Sequence, residues 1–398
     1  MRNPAVRPAD ILLPAPEIAP ETWAVVAVDQ FTSQPDYWQR AEEIVGGAPS
    51  ALRLVLPEVY LSQSDVRIPE MQRAMRDYLD RGVLRTGVRN GFLLVERATA
   101  AGNRLGLMAC LDLEQYDFSA SSQSLIRATE GTVLERVPPR VKIRRGAPVE
   151  LPHVLMLLDD PGETVIEPLY AKRESLTPAY DFETMLGGGR LRGWKVEAAD
   201  AEETGRALDA LWETCGDLFL AVGDGNHSLA AARAYWLEIR DSVPEEQRAN
   251  HPARFALAEI ENLHSPAIRF EPIHRVLTNV DPQAFLREFE AVAPAAKDGG
   301  TTFVSADREA RFDIPLRELQ SFLDAYLAAH PETGIDYIHG DETLRSLAVQ
   351  PNALGFMPEA FRKADLFPYI REFGVLPRKT FSMGHANEKR YYFEARRI

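Results

Sequence analysis

The chain has 398 residues, 45% of them hydrophobic and 26% charged, with a formal net charge of −14. That length gives roughly two domains or one large one with a sizeable core, and the acidity argues against general nucleic-acid binding, which needs a basic surface. Cys110 and Cys215 lie far apart in apolar surroundings and read as reduced thiols; with no apolar run of membrane-span length and no signal-peptide core, a soluble cytoplasmic protein is expected.

In chain order, a proline-rich opening leads into an apolar run at 23–28, read as a strand that ends at Asp29. An aspartate just past a strand's C-terminal end is a common place for chemistry in α/β folds, and equally a common turn residue. Residues 35–45 read as a helix stopped by Gly46 and Gly47, residues 52–59 as extended, and 64–81 as an amphipathic helix with Ile68, Met71, Met75 and Tyr78 at helical spacing. Residues 91–97 and 104–113 read as strands paired through a turn at 99–103.

The stretch 127–145 holds six basic residues in nineteen positions. Arg127 and Arg136 are its candidates for phosphate contacts, arginine being suited to bidentate recognition. The same pattern fits a solvated basic face, and Arg127 can pair with Glu130 at i, i+3. Residues 151–160 read as a buried strand ending in an acidic turn, 164–170 as another short strand, and 201–215 as a helix.

That helix delivers the chain to its chemically densest stretch. An apolar run at 218–222 is followed by Gly223, Asp224, Gly225, Asn226, His227 and Ser228, and then by an alanine-rich helix. A strand that breaks at glycines and restarts as a helix presents backbone N–H groups at the helix start, where an anion can sit. Gly223 and Gly225 permit positive φ, and Asn226 or Ser228 can cap the helix.

Beyond it come strands at 254–263 and 267–277, the second carrying His274 and Arg275. A helix at 282–292, alternating segments at 299–312, a helix at 316–329, a strand at 353–358, a helix at 361–373 and a basic ending with Arg378 and Lys379 follow. The histidines show no metal-ligand spacing, so no metal-binding residues are assigned.

Several of these motifs resemble the DUF1015 (domain of unknown function) family of bacteria and archaea. They begin at Val28, Leu56, Gly223, Pro272 and Pro377, and the likeness runs across nearly the whole chain. It implies one unit over 1–398, an α/β (α+β) mixed sheet with appended helices, a core lobe at 1–278 and a C-terminal lobe at 279–398 that closes the site. The Asp224-Gly225-Asn226-His227 box also resembles that of ParB/sulfiredoxin-like proteins, where it binds nucleotide phosphates at a helix start; some of those proteins are free serine kinases with an upstream acidic base, a role that falls here to Asp29. Ser228 stands where many of them carry arginine, so Arg233, Arg275 or the 127–145 cluster has to supply positive charge.

The resulting expectation is phosphoryl transfer from a nucleotide (ATP or ADP, with Mg²⁺) to a small hydroxyl metabolite, serine first. Asp29, Asp224 and His227 are the catalytic candidates. Gly223, Gly225, Asn226, Ser228, Arg127, Glu130, Arg136, His274, Arg275, Arg378 and Lys379 are the binding candidates. The alternative is a nucleotide- or metabolite-binding regulator without turnover. Neither nucleic acid nor membrane is expected as a partner, and oligomeric state is not legible.

Overall fold

The hairpin expected around 99–103 anchors a mixed sheet. Strands Leu84–Thr99 and Gly102–Asp112 pair antiparallel, from Leu93 opposite Met108 to Thr99 opposite Gly102. The structure, a computed structural model, describes residues 2–28, 31–32, 34–152, 154–384 and 386–398. It has two compact units, one of Met1–Ile268 with Gly384–Ile398 and one of Arg269–Met383. The division falls at 268/269 rather than after 278, and the last fifteen residues return to the first unit instead of ending a C-terminal lobe.

In the first unit the sheet runs Tyr116–Asp117, Ile126–Ala128, Leu220–Asp224, Leu155–Leu158, Phe255–Asn262, Gly102–Asp112, Leu84–Thr99, Arg190–Val196, Thr177–Glu183. Leu220–Asp224 is parallel to Ile126–Ala128 and antiparallel to Leu155–Leu158. Both faces are covered, so the central strands are nearly continuous in apolar residues. Alternation sends Leu93 and Val95 into one core with Trp23, Trp38, Met108 and Phe393. Phe92 and Leu94 enter the other, with Met156, Leu229, Trp236 and Ile260.

The periodic segments form as expected. Helix Ser64–Asp80 buries Ile68, Met71, Met75 and Tyr78, each apolar side chain contributing roughly 1.5–3 kcal/mol. Helix Pro35–Val45 ends at Gly46, whose φ of 52° lets the chain turn away. Three readings are corrected. Residues 23–28 are no strand: helix Pro20–Trp23 gives way to a single bridge between Val25 and Tyr392. Residues 52–59 contain turns of 3₁₀ helix rather than extended chain. Residues 164–170 enter helix Ile166–Ala171, and Asp160 holds the turn before it by accepting from the backbone N–H groups of Thr164 at 2.6 Å and Val165 at 3.1 Å. Asp160 is thus a turn residue.

The second unit is a sheet of order Glu309–Phe312, Thr301–Val304, Ala353–Met357, Phe270–Thr278, Gly334–His339, with Phe381–Met383 pairing with Phe270–Thr278. Its core is aromatic, built from Phe285, Phe289, Phe303, Phe312, Tyr326 and Phe356. Asp281 caps helix Pro282–Glu290 by accepting from the N–H groups of Gln283 and Ala284.

Candidate functional site

The strand Leu220–Asp224 and the helix Asn226–Arg240 meet at Gly225. The pairing with Leu155–Leu158 slips between Val222 and Asp224, so Gly223 forms a bulge and Asp224 stands opposite Leu155. Gly223 keeps strand geometry. The positive φ belongs to Gly225, at 82°, a left-handed conformation that glycine adopts without strain. Gly225 is the N-cap and brings no side chain to it, so Asn226 and Ser228 lie inside the helix rather than at the N-cap position their types suggested.

Asn226 is instead the buried pin of the corner. Its Oδ1 accepts from the Tyr116 hydroxyl at 2.8 Å, and its Nδ2 donates to the Glu130 carbonyl at 3.2 Å and to Thr132 Oγ1 at 2.8 Å. Thr129 Oγ1 donates to the Val222 carbonyl at 2.7 Å, tying the same loop to the strand. Glu130 therefore serves the corner through its backbone oxygen. His227 Nε2 accepts from the Val133 N–H at 3.1 Å. That bond requires an unprotonated Nε2, which puts the proton of the neutral ring on Nδ1.

Asp224 Oδ1 accepts from the Gly225 N–H at 2.8 Å, and its Oδ2 lies 3.3 Å from Lys389 Nζ. The Lys389 side chain is 8% exposed and that of Asp224 35%. Nearby, Arg140 pairs with Glu58. Burial pushes the Tyr392 hydroxyl well above its ordinary pKa, and that group feels the charges of Arg140, Asp224 and Glu58. Lys389 and Tyr392 come from the terminal segment, far from the corner in sequence. The surrounding basic residues gave no motif, so nothing local in the sequence marked them.

Five of the six basic residues of the stretch 127–145 are ion-paired. Arg127 is buried and bonds to the Ser124 carbonyl and to Asp217, at 2.7 Å from its carboxylate, rather than to Glu130. Arg140 meets Glu58, Lys142 meets Asp65, Arg144 meets Glu150 and Arg145 meets Glu238. Arg136 is exposed at the start of helix Val137–Arg144. Arg233 faces Asp117 at 3.6 Å. Asp29 lies outside the described residues.

His274, Arg275, Arg378 and Lys379 belong to the second unit. Arg275 is fully buried and donates to the carbonyls of Ile273 and Arg378 and to Gln320 Oε1, so its guanidinium is an internal brace. Burial lowers its pKa to about 10. His274 Nε2 is 2.8 Å from Asp341 Oδ1. Arg378 is exposed, and Lys379 has a positive φ of 57°. Among the described residues no group of three or more His, Cys, Asp or Glu side chains forms a metal cluster, and no helix is long and apolar enough to cross a membrane.

The family model described as Protein of unknown function (DUF1015) matches residues 6–395. This chain belongs to that family. The match takes in both units of this DUF1015 chain. No curated protein matches it. Solved structures resemble it distantly. A conserved hypothetical protein from Pyrococcus furiosus is 10% identical, with a TM-score of 0.36 over 69% of this chain and 90% of its own. A free serine kinase variant in complex with AMP is 10% identical, with a TM-score of 0.41 over 72% and 90%. A C-terminally truncated SbnI from Staphylococcus aureus is 8% identical, with a TM-score of 0.38 over 70% and 82%. Likeness at this level carries no functional conclusion.

Proposed function

We propose that this DUF1015 protein is a nucleotide-dependent phosphotransferase acting on the hydroxyl of a small metabolite, free serine being the first to test. The observation that supports the reading is the corner itself: a glycine in the left-handed region opens a helix at the end of a strand, with Asp224 and His227 on either side of it. Phosphoryl transfer asks little covalent chemistry of a protein and much positioning and charge neutralisation.

In this reading the amides of the first helical turn and the Nδ1–H of His227 donate to phosphate oxygens. The acceptor's hydroxyl oxygen attacks the terminal phosphorus, and the bond from that phosphorus to the bridging oxygen breaks. The nucleotide leaves one phosphate shorter, and the hydroxyl proton passes to a carboxylate. Asp224 is the described carboxylate for that role; Asp29 is the second candidate, proposed from its sequence position. Mg²⁺ suits a site with few protein ligands, since it is commonly held by one or two carboxylates together with the substrate's phosphates. Asp224 is the carboxylate at the corner that can contribute, and the ion would supply charge neutralisation at the phosphates.

The non-catalytic alternative is favoured by one feature: both oxygens of Asp224 are already engaged, by Gly225 and Lys389. A thermal-shift screen of ATP, ADP and CTP with Mg²⁺, alone and with hydroxyl amino acids, separates the readings when followed by a product assay, because a bound ligand raises apparent stability by mass action. Stabilisation with product supports the kinase, stabilisation without product the regulator, and no stabilisation by any nucleotide contradicts both.

A further inference from the structure

Arg127, Arg233 and Arg275, three of the arginines expected to neutralise phosphate, are engaged elsewhere, whereas Lys389 stands against the corner itself. We infer that Lys389, carried by the C-terminal segment, is the phosphate-binding cation of the Asp224 corner. The inference rests on the phosphate-binding reading of that corner and names a residue for it that the box motif does not contain.

The geometry of the segment supports it. Arg97 is fully buried and donates to the carbonyls of Asn387 at 2.6 Å, Glu388 at 3.2 Å and Lys389, while holding the Gly188 carbonyl at 2.8 Å. Arg104 Nη1 donates to the Glu388 carbonyl at 2.9 Å, and its Nε lies 2.8 Å from Glu261. The next residue, Arg390, is locked between Glu259 at 2.7 Å and Glu394 at 2.5 Å. Three successive carbonyls and the following side chain are therefore fixed by buried charges. The backbone around Lys389 has little freedom, and its side chain is aimed at Asp224.

A lysine 7% exposed is costly to desolvate unless it is well compensated. An ammonium has three N–H donors. Here the Asp224 oxygen is 3.3 Å away, longer than the usual charge-assisted bond of about 2.7–2.9 Å. A phosphate oxygen beside Asp224 would meet a cation already in place, with no side-chain ordering left to do.

The test is calorimetry on the full chain with ADP and with inorganic pyrophosphate. Lys389→Met is expected to weaken both roughly ten- to a hundredfold, the scale of one charged hydrogen bond. Asp224→Asn, which removes the competing carboxylate, is expected to bind both at least as tightly as the parent while losing turnover. The double variant Asp224→Asn/Lys389→Met leaves no unpaired charge. It serves as the folded comparison if Lys389→Met unfolds, and it is expected to bind both probes at least tenfold more weakly than Asp224→Asn alone, by the same charged bond. Unchanged binding by Lys389→Met, or by the double variant relative to Asp224→Asn, overturns the inference and leaves the phosphate site standing. Failure of the parent chain to bind either probe overturns both.

Discussion

Arg390 lies 2.7 Å from Glu259, with side chains 0% and 1% exposed. The same guanidinium reaches Glu394 and the Tyr391 carbonyl, and Tyr180 donates its hydroxyl to Glu394 at 2.5 Å. Removing one member of a buried pair leaves the other charge uncompensated. Arg390→Met is expected to lower the unfolding free energy by about 3–5 kcal/mol in urea titrations. A loss within about 1 kcal/mol, typical of a surface pair, contradicts this account of the terminal segment.

Gly106 makes room for that network. A Cβ there would come within 2.2 Å of Glu259 Oε1. Gly106→Ala is expected to destabilise by about 1–3 kcal/mol through overpacking. Gly205, inside helix Ala198–Thr214 with nothing within 4 Å of a Cβ, is the contrast. Gly205→Ala is expected to stabilise by up to about 1 kcal/mol. Thermal or chemical unfolding of the two variants decides the pair.

Glu261 makes stability depend on pH. Burial, with Glu259 adding and Arg104 opposing, raises its carboxyl from 4.5 to about 7. The folded chain therefore keeps a proton that the unfolded chain releases in that window. The contribution is full below about 4.5 and is lost as pH climbs through about 7. Glu261→Gln cannot titrate. The unfolding free energy of the parent minus that of the variant is expected to fall between those pH values; a flat or rising difference contradicts the assignment.

Asn226 tests whether the corner is pinned as described. Asn226→Ala removes its bonds to Tyr116, Glu130 and Thr132 and leaves the buried Tyr116 hydroxyl without that acceptor. A loss of about 1–3 kcal/mol is expected for each buried polar group left unmade. Asn226→Asp keeps the acceptor for Tyr116 but turns a carboxylate oxygen toward the Glu130 carbonyl, so it is also expected to destabilise. Neutral effects in denaturant titrations contradict the pinning role.

Local pattern made much of the fold legible. Helix Ser64–Asp80, the hairpin through residues 99–103 and the strand, glycine and helix order at residues 220–240 all carry periodicity or turn residues within one element. The apolar run at 23–28 misled because burial alone does not distinguish a strand from chain held by one bridge to Tyr392. Residues 164–170 misled because the turn that leads into the helix is held by Asp160, outside the run. At the corner, the glycine pattern put Asp224 and His227 at the strand-to-helix junction but did not show the charges around them. The acids that neutralise Arg127 and Arg145, Asp217 and Glu238, lie far along the chain. Lys389 likewise meets Asp224 only through the folded sheet, and such pairings leave no spacing to read.

The central claim is transfer of a phosphoryl group at the Asp224 corner. Phosphorus NMR of the full chain with Mg²⁺·ATP and serine measures it most directly. Phosphoserine and ADP are expected to grow together with the parent chain, and no phosphoserine is expected with Asp224→Ala or His227→Ala. Phosphoserine formed at the parental rate by both variants would contradict it, as would no phosphorylated hydroxyl compound across a panel of small alcohols and hydroxy acids.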